Sequence, residues 1–300
     1  MAPDLPSAIV ASAVPVFEDA AYTGATSGKL AGASGTQAHR TTLPQEPHRM
    51  TDSAIVQAAD ILMRVRGGGA RVAGLGAAAP ATEAATWAIQ REVLRRMDGR
   101  IGGYKCAAPP GKPSSAAIMA AAGIRPGPTI WVVPPTERIG IETEIAFRLG
   151  RDLPPRATPY AQDEVLDAVA AAFPAIEMVT SRYIDPSKVS GHEAMADNIA
   201  HGGLVIGADV PDWRARDLKS LTVRQTYGGA VQVEKVGGNP SGDPYVPLVW
   251  LANHLPSVGL HLQAGQVVTT GSCTGLLWVD SHQRVTGGFL GFGEVVVDLA

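Results

Sequence analysis

The sequence is poor in cysteine, has no strong excess of either charge and contains no long hydrophobic run. Only Cys106 and Cys273 occur among its 300 residues, which excludes a disulfide scaffold and favours a reducing compartment such as the cytoplasm. The net charge of −3 offers no basic surface for phosphate backbones, so we expect no nucleic-acid partner. Because no apolar segment is long enough to cross a bilayer, we expect no membrane partner either.

Glycine and proline are plentiful, with 34 and 23 residues, and this abundance favours short strands joined by turns. Residues 1–49 are rich in Ala, Ser, Thr and Gly without sustained periodicity, so we predict a flexible leader. Capping residues, helical periodicity and following glycines predict helices over residues 53–66 and 82–97. We therefore expect a helical N-terminal part, 50–110, and a β-rich catalytic core, 111–300, which together form one compact unit.

Beyond residue 100 the predicted elements are mostly short strands. A strand is predicted over 101–106, a short mobile helix over the Ala-rich segment 114–122, and longer helices over 163–173 and 246–255. Alternating or short apolar runs predict further strands over residues 129–133, 139–149, 175–179, 203–206, 221–225, 266–270 and 294–299. Strands interrupted irregularly by helices favour an α+β fold over a doubly wound sheet.

Two glutamates lie two residues apart in the apolar segment 141–147. If this segment is a strand, Glu142 and Glu144 share one face with their Cα atoms about 7 Å apart. Burying carboxylates this close is costly unless a cation joins them. Glu177 adds a third carboxylate in another short apolar run, and three carboxylates without a His or Cys cluster favour Mg²⁺ or Mn²⁺ over zinc. Solvent-facing glutamates on half-buried strands are the alternative.

Lys105 lies among apolar neighbours at the end of the predicted strand 101–106. In that position its ammonium group is suited to pair with a substrate carboxylate or to stabilise an enolate oxygen. An exposed lysine on an edge strand is the alternative. Cys106 beside it has no identifiable histidine partner, so we expect a buried, unreactive thiol.

Seven segments of the sequence match one known family in the family's own order. They are residues 103–105 (GYK), 141–147 (IETEIAF), 174–182 (PAIEMVTSR), 196–198 (ADN), 242–244 (GDP), 249–252 (VWLA) and 264–272 (AGQVVTTGS). Across roughly residues 50–300 the chain therefore resembles the 2-keto-4-pentenoate hydratase and 4-oxalocrotonate decarboxylase family, within the fumarylacetoacetate hydrolase superfamily. The resemblance implies a mixed β-roll or sandwich core of the fumarylacetoacetate hydrolase C-terminal type, peripheral helices and a homo-oligomer.

The resemblance also implies a metal centre. Glu142, Glu144 and Glu177 match the glutamates that hold Mg²⁺ or Mn²⁺ in the family, in agreement with the spacing argument. In such enzymes the metal binds the carboxylate and 2-oxo oxygens of a small 2-oxo or 2-hydroxy-dienoic acid and acts as a Lewis acid.

Residues for binding the substrate follow from the same matching segments. Lys105 corresponds to the lysine that lies over the bound 2-oxo acid, so it is both a catalytic and a substrate-binding candidate. Further substrate-binding candidates are Arg182, Asn198 and Ser272.

One departure from the family concerns proton transfer. Relatives usually carry an acidic residue after the lid, taken as a proton shuttle, whereas the corresponding segment 127–134 (GPTIWVVP) contains none. His201 follows the 196–198 motif, and the unperturbed pKa of histidine suits proton transfer. We therefore predict His201 as a second catalytic residue; a structural histidine is the alternative.

The resemblance indicates a lyase of aromatic catabolism. We expect a hydratase of a 2-hydroxy-2,4-dienoic acid that works through the enolate of a 2-oxo acid. Decarboxylation of a 4-oxalocrotonate-type acid and hydrolysis of a carbon–carbon bond in an acylpyruvate start from the same enolate, so both stay open. A non-catalytic 2-oxo-acid binding protein is the alternative of another class, and the missing acid is its best support.

Overall fold

A computed structural model describes residues 50–133 and 137–300 of the chain. The predicted leader, residues 1–49, lies outside the described residues. The α-helices are α1 (Asp52–Arg66), α2 (Glu83–Arg96), α3 (Gln162–Asp167), α4 (Gly191–Ala196) and α5 (Tyr245–His254). None of the helices in this part of the chain combines the length and the hydropathy that crossing a membrane requires.

Short strands make up most of the regular structure, as the sequence predicts. They are β1 (Ile101–Ala107), β2 (Ser115–Ala120), β3 (Ile124–Pro126), β4 (Thr129–Trp131), β5 (Arg138–Leu149), β6 (Val169–Val179), β7 (His201–Ile206), β8 (Thr222–Tyr227), β9 (Ala230–Val236), β10 (Val267–Thr269), β11 (Leu277–Asp280), β12 (Arg284–Phe289) and β13 (Gly293–Leu299).

The two N-terminal helices begin and end where local signals predict. The Thr51 side chain accepts a hydrogen bond from Ala54 N, and the Thr82 side chain accepts one from Ala85 N, so each cap satisfies a free backbone donor. Past the end of α2, Gly99 has a φ of +70°, the left-handed conformation that ends many helices. Both predicted helices are confirmed.

Two other predicted helices are wrong in whole or in part. The Ala-rich segment 114–122 forms β2, which pairs antiparallel with β1 and has a buried interior. The segment 163–173 divides into α3 and the first part of β6, which continues through Pro174. Alanine favours helices only weakly, and pairing inside a buried sheet outweighs that preference.

The strands form two mixed sheets. The larger has the order β2-β1-β10-β5-β6-β7-β3, and β11 also pairs with β5. The smaller has the order β4-β13-β12-β8-β9. Buried side chains of β5, β6 and β7 pack against those of β12 and β13, among them Ile141, Ile176, Val205, Val285 and Val297. Two layered sheets with helices outside them confirm the predicted α+β class.

The side chains of β5 alternate between the two faces of the larger sheet. Ile141, Ile145 and Phe147 belong to buried apolar clusters on one face, so Glu142 and Glu144 project from the other. β1 lies in the predicted N-terminal part, yet it pairs with β10 of the predicted core. The division near residue 110 stays a prediction.

Candidate metal centre

Three glutamates meet at the middle of the larger sheet. Glu142 of β5 and Glu177 of β6 are direct cross-strand partners, and Glu144 lies two residues further along β5. Each offers a carboxylate oxygen, and these oxygens all lie within 4.8 Å of one another. The exposed fraction is 2% for Glu144 and 0% for Glu177. Glu142 is half-buried. The alternative of solvent-facing glutamates is therefore wrong for Glu144 and Glu177.

Loss of hydration and the proximity of their charges shift the pKa values of these carboxyl groups. Burial and the Glu177 carboxylate raise the pKa of Glu142 to about 7, although Lys105 opposes the shift. Burial and the carboxylates of Glu177 and Glu142 raise the pKa of Glu144 to about 8. Burial removes the water that would stabilise these charges, and opposed like charges destabilise a sheet. Without a cation, these two carboxyl groups take up protons near neutral pH.

Glu177 differs because two basic side chains contact it. Burial alone would raise its pKa, but Lys105 and His201 lower that pKa to about 2. Lys105 Nζ lies 2.5 Å, and His201 Nδ1 2.9 Å, from the same oxygen, Glu177 Oε1. An ionised carboxylate only accepts hydrogen bonds, so in the neutral imidazole Nδ1 carries the hydrogen and Nε2 is an acceptor.

Glu177 and His201 each keep one further polar atom that has no partner in the described part of the chain. Glu177 Oε2 and His201 Nε2 are buried and make no hydrogen bond within residues 50–133 and 137–300. A buried carboxylate oxygen without a partner is costly. It is therefore the kind of atom that a bound cation or substrate would satisfy.

The donor set fits a hard divalent cation. Oxygen-only ligands and three carboxylates match Mg²⁺ or Mn²⁺. Glu144 Oε2 is oriented by Thr269 Oγ1 and by Gly271 N, which donates to it at 2.8 Å. Ser272 lies beside Glu142 and its side-chain hydrogen bond lowers the pKa of that carboxyl, against the larger effect of burial. The role of the three glutamates as metal ligands stays a prediction.

Lys105 lies on the glutamate side of β1, in the interior of the sheet. Its strand has β2 on one side and β10 on the other, so the alternative of an edge-strand lysine is wrong. In the parallel pair it is opposite Thr269 of β10, whose own antiparallel partner is Ala146 of β5. One strand, β10, therefore separates the lysine's strand from the strand that carries Glu144. Cys106, on the opposite side of β1, is buried as predicted, and burial raises the pKa of its thiol well above the usual value.

Two predicted substrate-binding residues contact the protein instead of the carboxylates. Arg182 donates to Asp197 through Nε and to the His201 carbonyl through Nη1, the latter at 3.0 Å. Asn198 Nδ2 donates to the Ile118 carbonyl at 3.0 Å. These contacts do not test substrate binding, which stays a prediction for both residues.

Sequence reasoning missed Arg66 and Asp197. Arg66 ends α1, where a basic residue is common for reasons of the helix dipole alone. Asp197 appears only as a member of the 196–198 motif, although its side chain is 1% exposed. A buried acid in a matching motif is the one sequence signal that could have singled it out.

The described part of the non-acidic segment, residues 127–133, runs between the two sheets. β3 pairs with β7 of the larger sheet, and β4 pairs with β13 of the smaller one. Pro134 at its end lies outside the described residues. Trp131 of β4 packs so closely on Gly203 of β7 that an added Cβ there would lie 2.0 Å from the indole ring. The described part of this segment therefore has a packing role.

The chain is similar in sequence to a known protein family and to several curated enzymes. Residues 103–299 match the protein family described as fumarylacetoacetate (FAA) hydrolase C-terminal. The chain is 32% identical over 136 residues to 2-hydroxyhexa-2,4-dienoate hydratase of Comamonas testosteroni, covering 45% of this chain and 50% of that protein. It is 32% identical over 155 residues to 2-keto-4-pentenoate hydratase 2 of Dechloromonas aromatica, covering 52% and 58%. The matched region thus spans about half the length of these curated relatives.

A solved structure shares the fold. The 4-oxalocrotonate decarboxylase from Pseudomonas putida G7, complexed with magnesium and adipate, has a TM-score of 0.75 and 21% sequence identity, covering 85% of this chain and 100% of that chain. The predicted core of the fumarylacetoacetate hydrolase C-terminal type is confirmed.

Proposed function

The chain belongs to the fumarylacetoacetate (FAA) hydrolase C-terminal family, and from this premise we propose that it is a divalent-metal-dependent lyase, a hydratase of a 2-hydroxy-2,4-dienoic acid. The relatives named 2-hydroxyhexa-2,4-dienoate hydratase and 2-keto-4-pentenoate hydratase support the substrate class. We further propose that it works in aromatic catabolism.

One observation carries the proposal: Glu142, Glu144 and Glu177 converge within 4.8 Å beside the ammonium group of Lys105. This arrangement is costly for a protein that only needs to fold, because two of the three carboxyl groups have raised pKa values. It becomes favourable when a cation and an anionic substrate share the site. Mg²⁺ or Mn²⁺, held by the three glutamates, would act there as a Lewis acid toward carbonyl and carboxylate oxygens.

The chain's own residues divide the remaining tasks. Lys105 is 12% exposed and carries a positive charge next to the carboxylates, so it is suited to pair with the carboxylate of a 2-oxo acid. His201 has Nδ1 occupied by Glu177, and its Nε2 has no partner among the residues that the structure describes. Since that nitrogen is the acceptor of the neutral ring, it is the group we propose to accept and return a proton. Ser272, beside Glu142, is the proposed contact for a substrate oxygen.

Decarboxylation of a 4-oxalocrotonate-type acid is the second candidate. The structural neighbour of that name, which shares the fold, favours it. Loss of CO₂ from that acid leaves the enolate of a 2-oxo acid, and hydration also proceeds through such an enolate, so this shared intermediate does not separate the two reactions. A binding protein without catalysis would form no enolate and would not exchange the protons next to a 2-oxo group.

The experiment that tests the proposal is exchange of the C3 protons of 2-oxopentanoate in heavy water, followed by proton NMR. With Mg²⁺ we expect exchange in the wild type and none after chelation. Glu142→Gln removes one proposed ligand charge and is expected to abolish exchange. Glu234→Gln is the matched control, because Glu234 lies on β9 and is paired with Arg224 at the surface.

The outcomes separate the hypotheses. Exchange that survives both the chelator and Glu142→Gln would contradict the metal centre, and no exchange under any condition would favour the binding protein. Where exchange occurs, incubation with a 2-hydroxydienoate and with a 2-oxo-enedioate distinguishes hydration from release of CO₂.

We also propose a homo-oligomer that works in the cytoplasm. Both cysteines are buried and free, which is compatible with a reducing compartment. β9, at the edge of the smaller sheet, leaves Val231 and Val236 more than half exposed, at 53% and 69%, and exposed apolar edges are suited to association. Light scattering behind size exclusion tests the assembly; a monomer at micromolar concentration would contradict it.

A further inference from the structure

A left-handed turn directly precedes His201. Asn198, Ile199 and Ala200 have φ angles of 53°, 51° and 57°, a region that residues other than glycine seldom adopt and β-branched residues least of all. Three such residues in succession persist only where the surrounding structure holds them in place. We call residues 198–200 the left-handed turn.

Three charged residues hold this turn, and we call Arg66, Arg182 and Asp197 the arginine clamp. Arg182 and Asp197 are buried, and Arg66 is half-buried. The Asp197 carboxylate accepts hydrogen bonds from Arg182 Nε and from the Arg182 backbone N, the latter at 3.0 Å. Both guanidinium groups donate to the His201 carbonyl, Arg182 at 3.0 Å and Arg66 at 3.3 Å. Arg66 Nη2 also donates to Asn198 Oδ1 at 2.9 Å. The clamp thus fastens both ends of the turn.

The left-handed turn orients Lys105 and His201, the two predicted catalytic residues. Its Ile199 carbonyl accepts a hydrogen bond from Lys105 Nζ at 3.1 Å. The same Nζ lies 2.5 Å from Glu177 Oε1, which also contacts His201 Nδ1 at 2.9 Å. If Ile199 took an ordinary right-handed or extended conformation, its peptide would rotate and its carbonyl would no longer face Lys105.

We propose that the arginine clamp consists of positioning residues that keep the left-handed turn strained, so that Lys105 and His201 are fixed against Glu177 before any substrate binds. Arg66 reaches the turn from α1, which makes the N-terminal helices part of the catalytic apparatus. The effect on catalysis rests on the proposed function. The effect on the accessibility of Lys105 does not.

The first test measures that accessibility in the full-length protein with Mg²⁺. Acetic anhydride labels lysines, and mass spectrometry gives the ratio of Lys105 to the exposed Lys112, which corrects for the amount of reagent. In Arg66→Lys the charge stays but the planar group that bonds both Asn198 and His201 is lost. We expect the ratio to rise about tenfold, on the scale of a lost charge-assisted hydrogen bond. Arg64→Lys, on the exposed side of the same helix, is the matched control and is expected to leave it unchanged.

A second variant keeps the test independent of Arg66. Asn198→Gly allows the left-handed conformation but removes the side-chain bonds to Arg66 and to the Ile118 carbonyl. It is expected to raise the Lys105 ratio as Arg66→Lys does. The double variant is expected to add little, because both changes cut the same link.

Kinetics distinguish positioning from substrate binding. In C3 exchange of 2-oxopentanoate, both variants are expected to lose about 10- to 100-fold in kcat, the scale of a misplaced catalytic group. KM is expected to stay within about twofold, since a positioning residue makes no contact with the substrate. A rise in KM at constant kcat for Asn198→Gly would instead support substrate binding by Asn198.

Two results are decisive in different ways. A Lys105 ratio that stays at the wild-type value in both variants overturns the positioning role, even if the wild type is an efficient catalyst. A wild type that exchanges no C3 protons overturns the proposed function, while the labelling ratio still decides whether the clamp holds Lys105.

Discussion

Two buried polar clusters lie side by side in this protein, and they satisfy their charges differently. In the arginine clamp, Asp197 accepts hydrogen bonds on both carboxylate oxygens, and Arg182 donates from Nε, Nη1 and Nη2. Across the left-handed turn, Glu177 Oε2 and His201 Nε2 have no partner in the described part of the chain.

Arg66 Nε of the clamp also lacks a partner there, so the difference lies in the two carboxylates. Folding satisfies both oxygens of Asp197 and leaves one oxygen of Glu177 for a ligand. A satisfied buried network rigidifies its surroundings, whereas a partly satisfied one is costly until something binds. The raised pKa values of Glu142 and Glu144 express the same incompleteness in the metal centre. Removing charge from the clamp is therefore expected to lower the free energy of unfolding, whereas removing charge from the metal centre is expected to weaken metal binding.

The largest effect is expected in the clamp. Asp197→Ala leaves two arginines without their shared carboxylate and is expected to lower the free energy of unfolding by about 3–5 kcal/mol, the cost of breaking a buried ion pair. Denaturant unfolding measures it. Asp209→Ala is the control, because its pair with Arg148 is 52% and 30% exposed and is expected to matter by less than about 1 kcal/mol. Equal losses in both variants would remove the distinction between clamp and surface.

The next effect concerns metal binding. Mg²⁺ at about one hundred times its Kd is expected to raise the free energy of unfolding of the wild type by about 2.7 kcal/mol, since it binds only the folded protein. In Glu144→Gln at the same concentration we expect less than about 1 kcal/mol. Denaturation with Mg²⁺ and with chelator gives both values. Undiminished stabilisation in Glu144→Gln would place the cation elsewhere.

Without metal, the two clusters should also differ in pH dependence. Glu142 and Glu144 have folded-state pKa values of about 7 and about 8, above their unfolded values. The folded protein therefore binds more protons than the unfolded chain, and its stability falls as the pH rises through this range. Between pH 7 and 8.5 we expect a loss of about 1–2 kcal/mol, given about 1.4 kcal/mol per proton per pH unit. Burial lowers the pKa of His201, and its opposite contribution lies below this window.

Chelator-treated protein unfolded at each pH provides the measurement. The double variant Glu142→Gln/Glu144→Gln is expected to lose this slope, whereas Glu234→Gln keeps it. A wild-type stability that rises between pH 7 and 8.5 would contradict the raised pKa values.

The smallest effect concerns strain in the left-handed turn. Ala200→Gly removes the Cβ that makes its φ of 57° unfavourable, so we expect a gain of about 0.5–1 kcal/mol in the free energy of unfolding. Ala88→Gly, inside α2, is the control and is expected to lose about 1 kcal/mol, the usual cost of glycine in a helix. Thermal unfolding compares the two variants. Destabilisation of both by the same amount would mean that the turn stores no strain.

Local signals in the sequence account for the elements that were predicted well. α1 and α2 have capping threonines and a periodic apolar face, and β5 has strict alternation around its glutamates. The alanines of β2 are compatible with a helix or a strand, and the sequence therefore predicts a helix where the structure has a strand. What decides their state is the neighbouring strand β1, and pairing with it is a non-local event that no short window contains.

The candidate site was predictable only in part for the same reason. The spacing of the two glutamates of β5 indicates a shared cation, and the family motifs add Glu177 and Lys105 to the predicted site. Nothing local relates Arg66 to Asn198, which are 132 residues apart and in hydrogen-bond contact. Lys105 and His201 likewise both contact one oxygen of Glu177. These three residues lie on three different strands, β1, β7 and β6.

By itself, then, the sequence determined the helix ends of α1 and α2 and the two faces of a strand such as β5, because capping and alternation depend on near neighbours. Only the tertiary structure decided which of these side chains meet, which are buried and which are left without a partner. Those properties depend on strand order and register, and register is set by contacts between residues that are far apart in the chain.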